Sequence, residues 1–101
     1  MTTAKRAGRK PKPRTVTVTG PGEFSTWECT ARADFPARLM VDLQSGNVSL
    51  VLAAFGAIVV EHNFPNVDGE IAATLEDVDP YTGLTELAGA IFEAIGRLPP
   101  R

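Results

Sequence analysis

The sequence predicts an α+β domain, an N-terminal β-hairpin followed by three to four helices, carried behind a disordered basic arm. Three observations predict it. Thr15 to Thr19 alternates Thr and Val with period two, and a second alternating stretch follows the turn signal Gly20-Pro21-Gly22. Residues 48–60 form an apolar run interrupted only by Ser49 and Gly56. Near the C-terminus Leu84, Leu87, Ala88, Ile91, Ile95 and Leu98 recur at i, i+3, i+4 spacing, the period of an amphipathic helix.

Residues 1–14 contain no large apolar side chain after Met1 and hold Lys5, Arg6, Arg9, Lys10, Lys12 and Arg14 without a single acid. Such a segment buries too little surface to offset its ordering entropy, so it reads as a flexible arm. The rest of the chain has four basic residues and all twelve acids, which makes the arm +6 and the body −8 behind a net charge of −2. The domain organisation that follows is the arm at 1–14, one α+β domain at 15–98 and a short tail at 99–101.

Within the domain, β-branched Thr15 to Thr19 reads as a strand. The second strand, residues 24–33, puts Trp27, Cys29, Ala31 and Ala33 on one face and Glu28, Thr30 and Arg32 on the other. Phe35-Pro36 then opens a helix whose stripe is Leu39, Met40 and Leu43, because Pro is tolerated in a first helical turn. Ser45-Gly46 ends it and Asn47 caps the next helix, read from Val48 to about Glu61. That helix is apolar on nearly every side, so it is central in the core or turns one face to another subunit. Pro65 breaks the pattern, Asp68-Gly69 marks a turn, and Thr74 with Asp77 looks like a capping box for a short helical turn. The last helix reads from Pro80 to about Leu98, and Gly89, Ala90, Ala94 and Gly96 keep its surface small enough for close helix contact.

These features exclude several functions. One cysteine, Cys29, makes no internal disulfide, and one Cys with one His cannot build a Cys/His zinc site. The thirteen residues of the run 48–60 span about 20 Å as a helix, short of a bilayer core of roughly 30 Å. With no apolar leader segment either, the expected location is the cytoplasm. No phosphate loop, dinucleotide fingerprint or zincin motif occurs. His62 has only Glu61 and Asn63 as sequence neighbours and Ser25, Ser45 and Ser49 lie in no nucleophile elbow, so His62 reads as structural. Cys29 on an inward strand face reads as a core residue. The acids Glu70, Glu76, Asp77 and Asp79 lack calcium-loop spacing and read as a solvated loop. Neither catalysis, a cofactor nor a metal is expected. For the arm, six cations suit phosphate binding. The segment Gly8 to Arg14 resembles minor-groove hooks but lacks their Gly-Arg-Pro core, and the acidic body opposes a phosphate backbone. A solvated tail or a protein contact is therefore preferred to nucleic acid.

The order of motifs resembles a known family. Phe24-Ser25-Thr26-Trp27-Glu28 precedes Asp42-Leu43-Gln44-Ser45-Gly46-Asn47-Val48, a compact apolar helix, Val59-Val60-Glu61-His62-Asn63-Phe64, the turn Val67-Asp68-Gly69-Glu70 and a final helix. Over residues 24–98 this is similar to the small tail assembly chaperones of long-tailed bacteriophages and prophages, with His62 where those sequences suggest Trp and Pro65-Asn66 altering the next turn. The resemblance implies a helical protein of the bacterial host cytoplasm that coats the apolar tape-measure protein before tail-tube polymerisation and self-associates. It carries over no catalytic residue. From their pattern, the contact candidates are Leu52, Phe55 and Val59 of the apolar helix and Leu84, Leu87, Ile91 and Ile95 of the last one. Two rival expectations remain: a structural virion protein, connector or capsid-associated, whose arm contacts neighbouring subunits, and a small DNA-associated protein that uses the arm.

Overall fold

A computed structural model describes residues 8–9 and 12–99; Lys5, Arg6 and Lys10 of the expected arm lie outside the described residues. The fold is α+β: a three-stranded antiparallel sheet with three α-helices. The strands are β1 (Thr15–Thr19), β2 (Glu28–Arg32) and β3 (Val59–His62), in the order β1-β2-β3. The helices are α1 (Ala37–Leu43), α2 (Val48–Ile58) and α3 (Thr82–Gly96).

The expected hairpin forms. β1 and β2 pair from Thr15↔Arg32 to Thr19↔Glu28, and period-two patterning decides which side is buried. Val16, Val18, Cys29 and Ala31 face the core, while Thr15, Thr17 and Thr19 face solvent. The connection is longer than the tight turn suggested by Gly20-Pro21-Gly22. A 3-10 turn at Gly22–Phe24 folds inward, burying Phe24 and Trp27 edge to face with ring centroids 5.0 Å apart. Trp27 also lies 5.4 Å from the Phe64 ring. Three aromatics, scattered in the sequence, thus close one end of the core.

Asn47 caps α2 as its residue type predicts, its side-chain oxygen accepting the Leu50 N–H at 3.2 Å. The other end of α2 differs from expectation. The helix stops at Ile58, and Val59 turns to extended backbone to begin β3. The β-branched run Ile58-Val59-Val60 favours a strand, and β2 offers an unpaired edge, so tertiary pairing overrides the apolar helical pattern. β3 joins β2 through Cys29↔His62, Thr30↔Glu61 and Ala31↔Val59, and the register shift leaves Val60 as a bulge. Asn63 completes the join: its side chain accepts from Glu28 N–H at 2.7 Å and donates to the Thr26 carbonyl at 3.0 Å.

Beyond β3, Pro65 and Ile71 form an isolated bridge around a turn in which Gly69 has φ of 82°. Thr74 precedes a 3-10 turn, Leu75–Asp77, and its hydroxyl donates to the Asp77 carboxylate at 3.2 Å. This turn is what the expected fourth helix becomes. α3 begins two residues later and ends two earlier than its apolar stripe suggested. It lays Leu84, Leu87 and Ile91 on the inner face of β1. The core is completed by Phe55, Ile58 and Phe64, each at most 1% exposed. Full burial of a side chain this large is worth roughly 1.5–3 kcal/mol.

Candidate protein-binding surface

α1 is amphipathic but short, and none of its residues is fully buried. Its half-buried Leu39 and Leu43 lean on the core. Ala37 and Met40 turn the other way, toward the C-terminal half of α3. There Phe92 and Ile95 stand to the side of the buried Leu87 and Ile91, and Gly96 adds no side chain. Phe35, at the corner between β2 and α1, closes the end. The result is an open groove of about 740 Å³ lined by Phe35, Ala37, Met40, Phe92 and Ile95, with Asp34 and Gln44 as its polar margin. Its apolar floor and polar margin match the general form of a site for an amphipathic helix.

A second apolar surface lies on α2. Val51, Ala54, Phe55 and Ile58 are buried, so one side of the helix makes the core. On the two flanks of that face Val48 is 51% and Leu50 38% exposed. On the side opposite the core Leu52, Ala53 and Gly56 form a smaller trough of about 340 Å³ against Thr74 and Leu75. One side of the apolar run therefore builds the core, while Val48 and Leu50 stay exposed.

Burial redistributes the seven expected contact residues. Phe55, Leu84, Leu87 and Ile91 are at most 2% exposed and belong to the core. A stripe at perfect helical spacing is what the folding of the domain itself consumes. Leu52, Val59 and Ile95 are half-buried at its margin, and of these Leu52 lines the α2 trough and Ile95 the α1–α3 groove. Phe35, Met40 and Phe92 also line the α1–α3 groove and were not among the expected contact residues. Phe92 did carry a signal: a large aromatic one step off the buried stripe, where a solvated helix face calls for a polar residue. The small residues of α3 also act elsewhere than expected. Open space surrounds Gly89 and Gly96, whereas the close approach is at Gly83, against the Trp27 ring.

Arg14 departs from the arm to which its charge assigned it. Its backbone N–H donates to Asp34 at 3.0 Å, its guanidinium donates to the Pro99 carbonyl at 3.1 Å, and its carbonyl accepts from Ala33 N–H at 2.8 Å. It is part of the domain.

The titratable candidates take positions that restrain their chemistry. Cys29 is 1% exposed; burial, with Glu28 adding repulsion, pushes its thiol up to about 11 from an ordinary 9.0. A thiol so placed stays protonated and weakly nucleophilic at neutral pH. His62 stacks on Phe64 with centroids 4.7 Å apart, and its Nδ1 accepts the Phe64 N–H at 3.0 Å. Burial lowers its pKa, favouring the neutral ring that this bond requires. Glu70, Glu76, Asp77 and Asp79 are exposed, and no cluster of metal-ligating side chains occurs among the described residues. No helix among them is long and apolar enough to cross a membrane. No known family, curated protein or solved structure matches the chain.

Proposed function

We propose that this chain is a non-catalytic tail assembly chaperone of a long-tailed phage or prophage, which holds apolar helical segments of a tape-measure protein during tail morphogenesis and self-associates. The observation that carries the reading is the groove between α1 and α3. Phe35, Met40, Phe92 and Ile95 line a site that one apolar helix face would fill, in the manner of helix-in-groove recognition. The uncovered side of α2 offers a second such contact, suiting a protein that coats an extended partner. The order of aromatic, cap and turn motifs along residues 24–98 supports the phage assignment. The tie of Arg14 to Asp34 favours a protein partner over DNA, since it withdraws one cation from the arm.

The test is binding of a labelled apolar helical peptide from a phage tape-measure protein, followed by fluorescence anisotropy. Phe92→Glu and Ile95→Glu place a charge in the groove at half-buried positions, so the fold is retained while affinity falls at least about tenfold, or 1.4 kcal/mol. Equal affinity in native chain and variants, or no binding by the native chain, would overturn the reading. Recovery of the chain in purified particles would favour a structural virion protein instead.

A further inference from the structure

β1 is an outer strand of the sheet, and no described residue pairs with its outer edge. Backbone groups in an antiparallel ladder point alternately toward and away from the partner strand. The flanking bonds, Ala33 N–H to the Arg14 carbonyl and Gly20 N–H to the Trp27 carbonyl, fix that alternation. Val16 and Val18 therefore address β2. Thr15, Thr17 and Thr19 point their N–H and C=O groups outward, where no described residue takes them.

Free edges are usually blunted by a charge, a proline, a bulge or shortness. β3, the opposite edge, has three of these devices: it spans four residues, bulges at Val60 and carries the charge of Glu61. β1 has none. It is regular, uncharged and β-branched at all five positions.

The strand is also complementary to itself. Antiparallel pairing centred on Thr17 sets Thr17 against Thr17 of a second copy, Thr15 against Thr19 and Val16 against Val18. In that register the outward N–H and C=O groups of both strands meet. The valines stay on the inner face, and the threonines meet on the outer face as Thr17 and Thr30 already do, their hydroxyls 3.1 Å apart. The helix beneath agrees. α3 runs antiparallel to β1, with Leu87 near Gly20 and Pro99 bonded to Arg14. Its flank beside the free edge carries small Ala90 and Ala94 together with the ion pair Glu93–Arg97. A twofold axis through Thr17 lays two such flanks antiparallel, with opposite charges on each to exchange.

We propose that β1 pairs antiparallel with β1 of a second copy, centred on Thr17, to make one sheet continuous across a dimer. The proposal deepens the self-association in the function proposed above and names its surface, while its geometric argument needs only the free edge.

Residue-resolved amide exchange on the intact chain tests it, beside sedimentation equilibrium up to about 200 µM. The expected result is a dimer in which the Thr15, Thr17 and Thr19 amides gain protection as concentration rises. The Val16 and Val18 amides, bonded within the chain, stay protected throughout. Thr17→Lys sets two like charges opposite each other and weakens dimerisation at least about tenfold. Retained protection of Val16 and Val18 in that variant shows that the monomer is folded. A chain that stays monomeric over this range overturns the proposal. So does a dimer in which the three threonine amides exchange independently of concentration. Groove binding of the helical peptide by monomeric Thr17→Lys is read separately, so loss of the chaperone reading and loss of the dimer are distinguishable.

Discussion

A methyl group at Gly83 would stand 2.0 Å from Cζ3 of Trp27 and 2.3 Å from Cη2. The ring cannot withdraw, because Phe24 and Phe64 hold its other sides. Gly83→Ala therefore gains helix propensity but drives a methyl into a fixed indole. Overpacking of this kind costs about 1–3 kcal/mol. Gly89, six residues on in the same helix, has nothing within 4 Å of an added Cβ. Gly89→Ala should gain about 0.5–1 kcal/mol from propensity alone. Urea unfolding of the two variants checks both, with opposite shifts of midpoint expected. The same contrast shows what residue identity can and cannot reveal. Glycines in a helix announce that something approaches closely or that nothing does. Only the position of Trp27, 56 residues away in the chain, tells the two apart. Cys29 was easier, because alternation alone placed it on the buried face.

At the scale of elements, the strongest signals were those with a local cause. The Thr-Val alternation of β1, the Asn47 cap of α2 and the stripe of α3 each arise within a few residues. β3 had only a weak local cause, its β-branched Val59 and Val60. Residues 59–62 continue an apolar helical run, and they become a strand because β2 has an edge to fill. The partner for that edge lies about thirty positions upstream, beyond any periodicity argument. Asn63 is the residue that converts this pairing into a fixed join, since its side chain bonds both Glu28 N–H and the Thr26 carbonyl. Both bonds are exposed, so each is worth about 0.5–1.5 kcal/mol rather than the larger value of a buried one. Asn63→Ala should cost roughly 1–2 kcal/mol. The loss should appear first as faster amide exchange in β3 and at Glu28, with β1 pairing unaffected. Equal loosening of both strand pairs would show that Asn63 does not act on the β2–β3 join.

Over the whole molecule, charge patterning divided the chain into a basic arm and an acidic body, and the division at residue 14 falls on a residue that joins the two ends. Arg14, at the entry to β1, meets Asp34 at the corner between β2 and α1, and Pro99 just past α3. Three positions that are remote in sequence close the domain at one point. Charge counting could not see this, because it assigns a cation to its neighbours in the chain rather than to a carboxylate twenty residues away. The guanidinium Nε lies 3.9 Å from the Asp34 carboxylate, and both side chains are about a third exposed. The ion pair is therefore screened and weak, while the bond from Arg14 N–H to the carboxylate is the firmer contact. Two substitutions separate these contributions. Asp34→Asn keeps an acceptor for the N–H and removes the charge, and should cost less than about 0.5–1 kcal/mol. Asp34→Ala removes both and should cost about 1–2 kcal/mol. Screening acts on charge alone, so at about 1 M salt the native chain and Asp34→Asn should converge in unfolding free energy, while Asp34→Ala remains below them. If salt brought Asp34→Ala level with the native chain as well, the corner would be held by electrostatics and the backbone bond would contribute nothing.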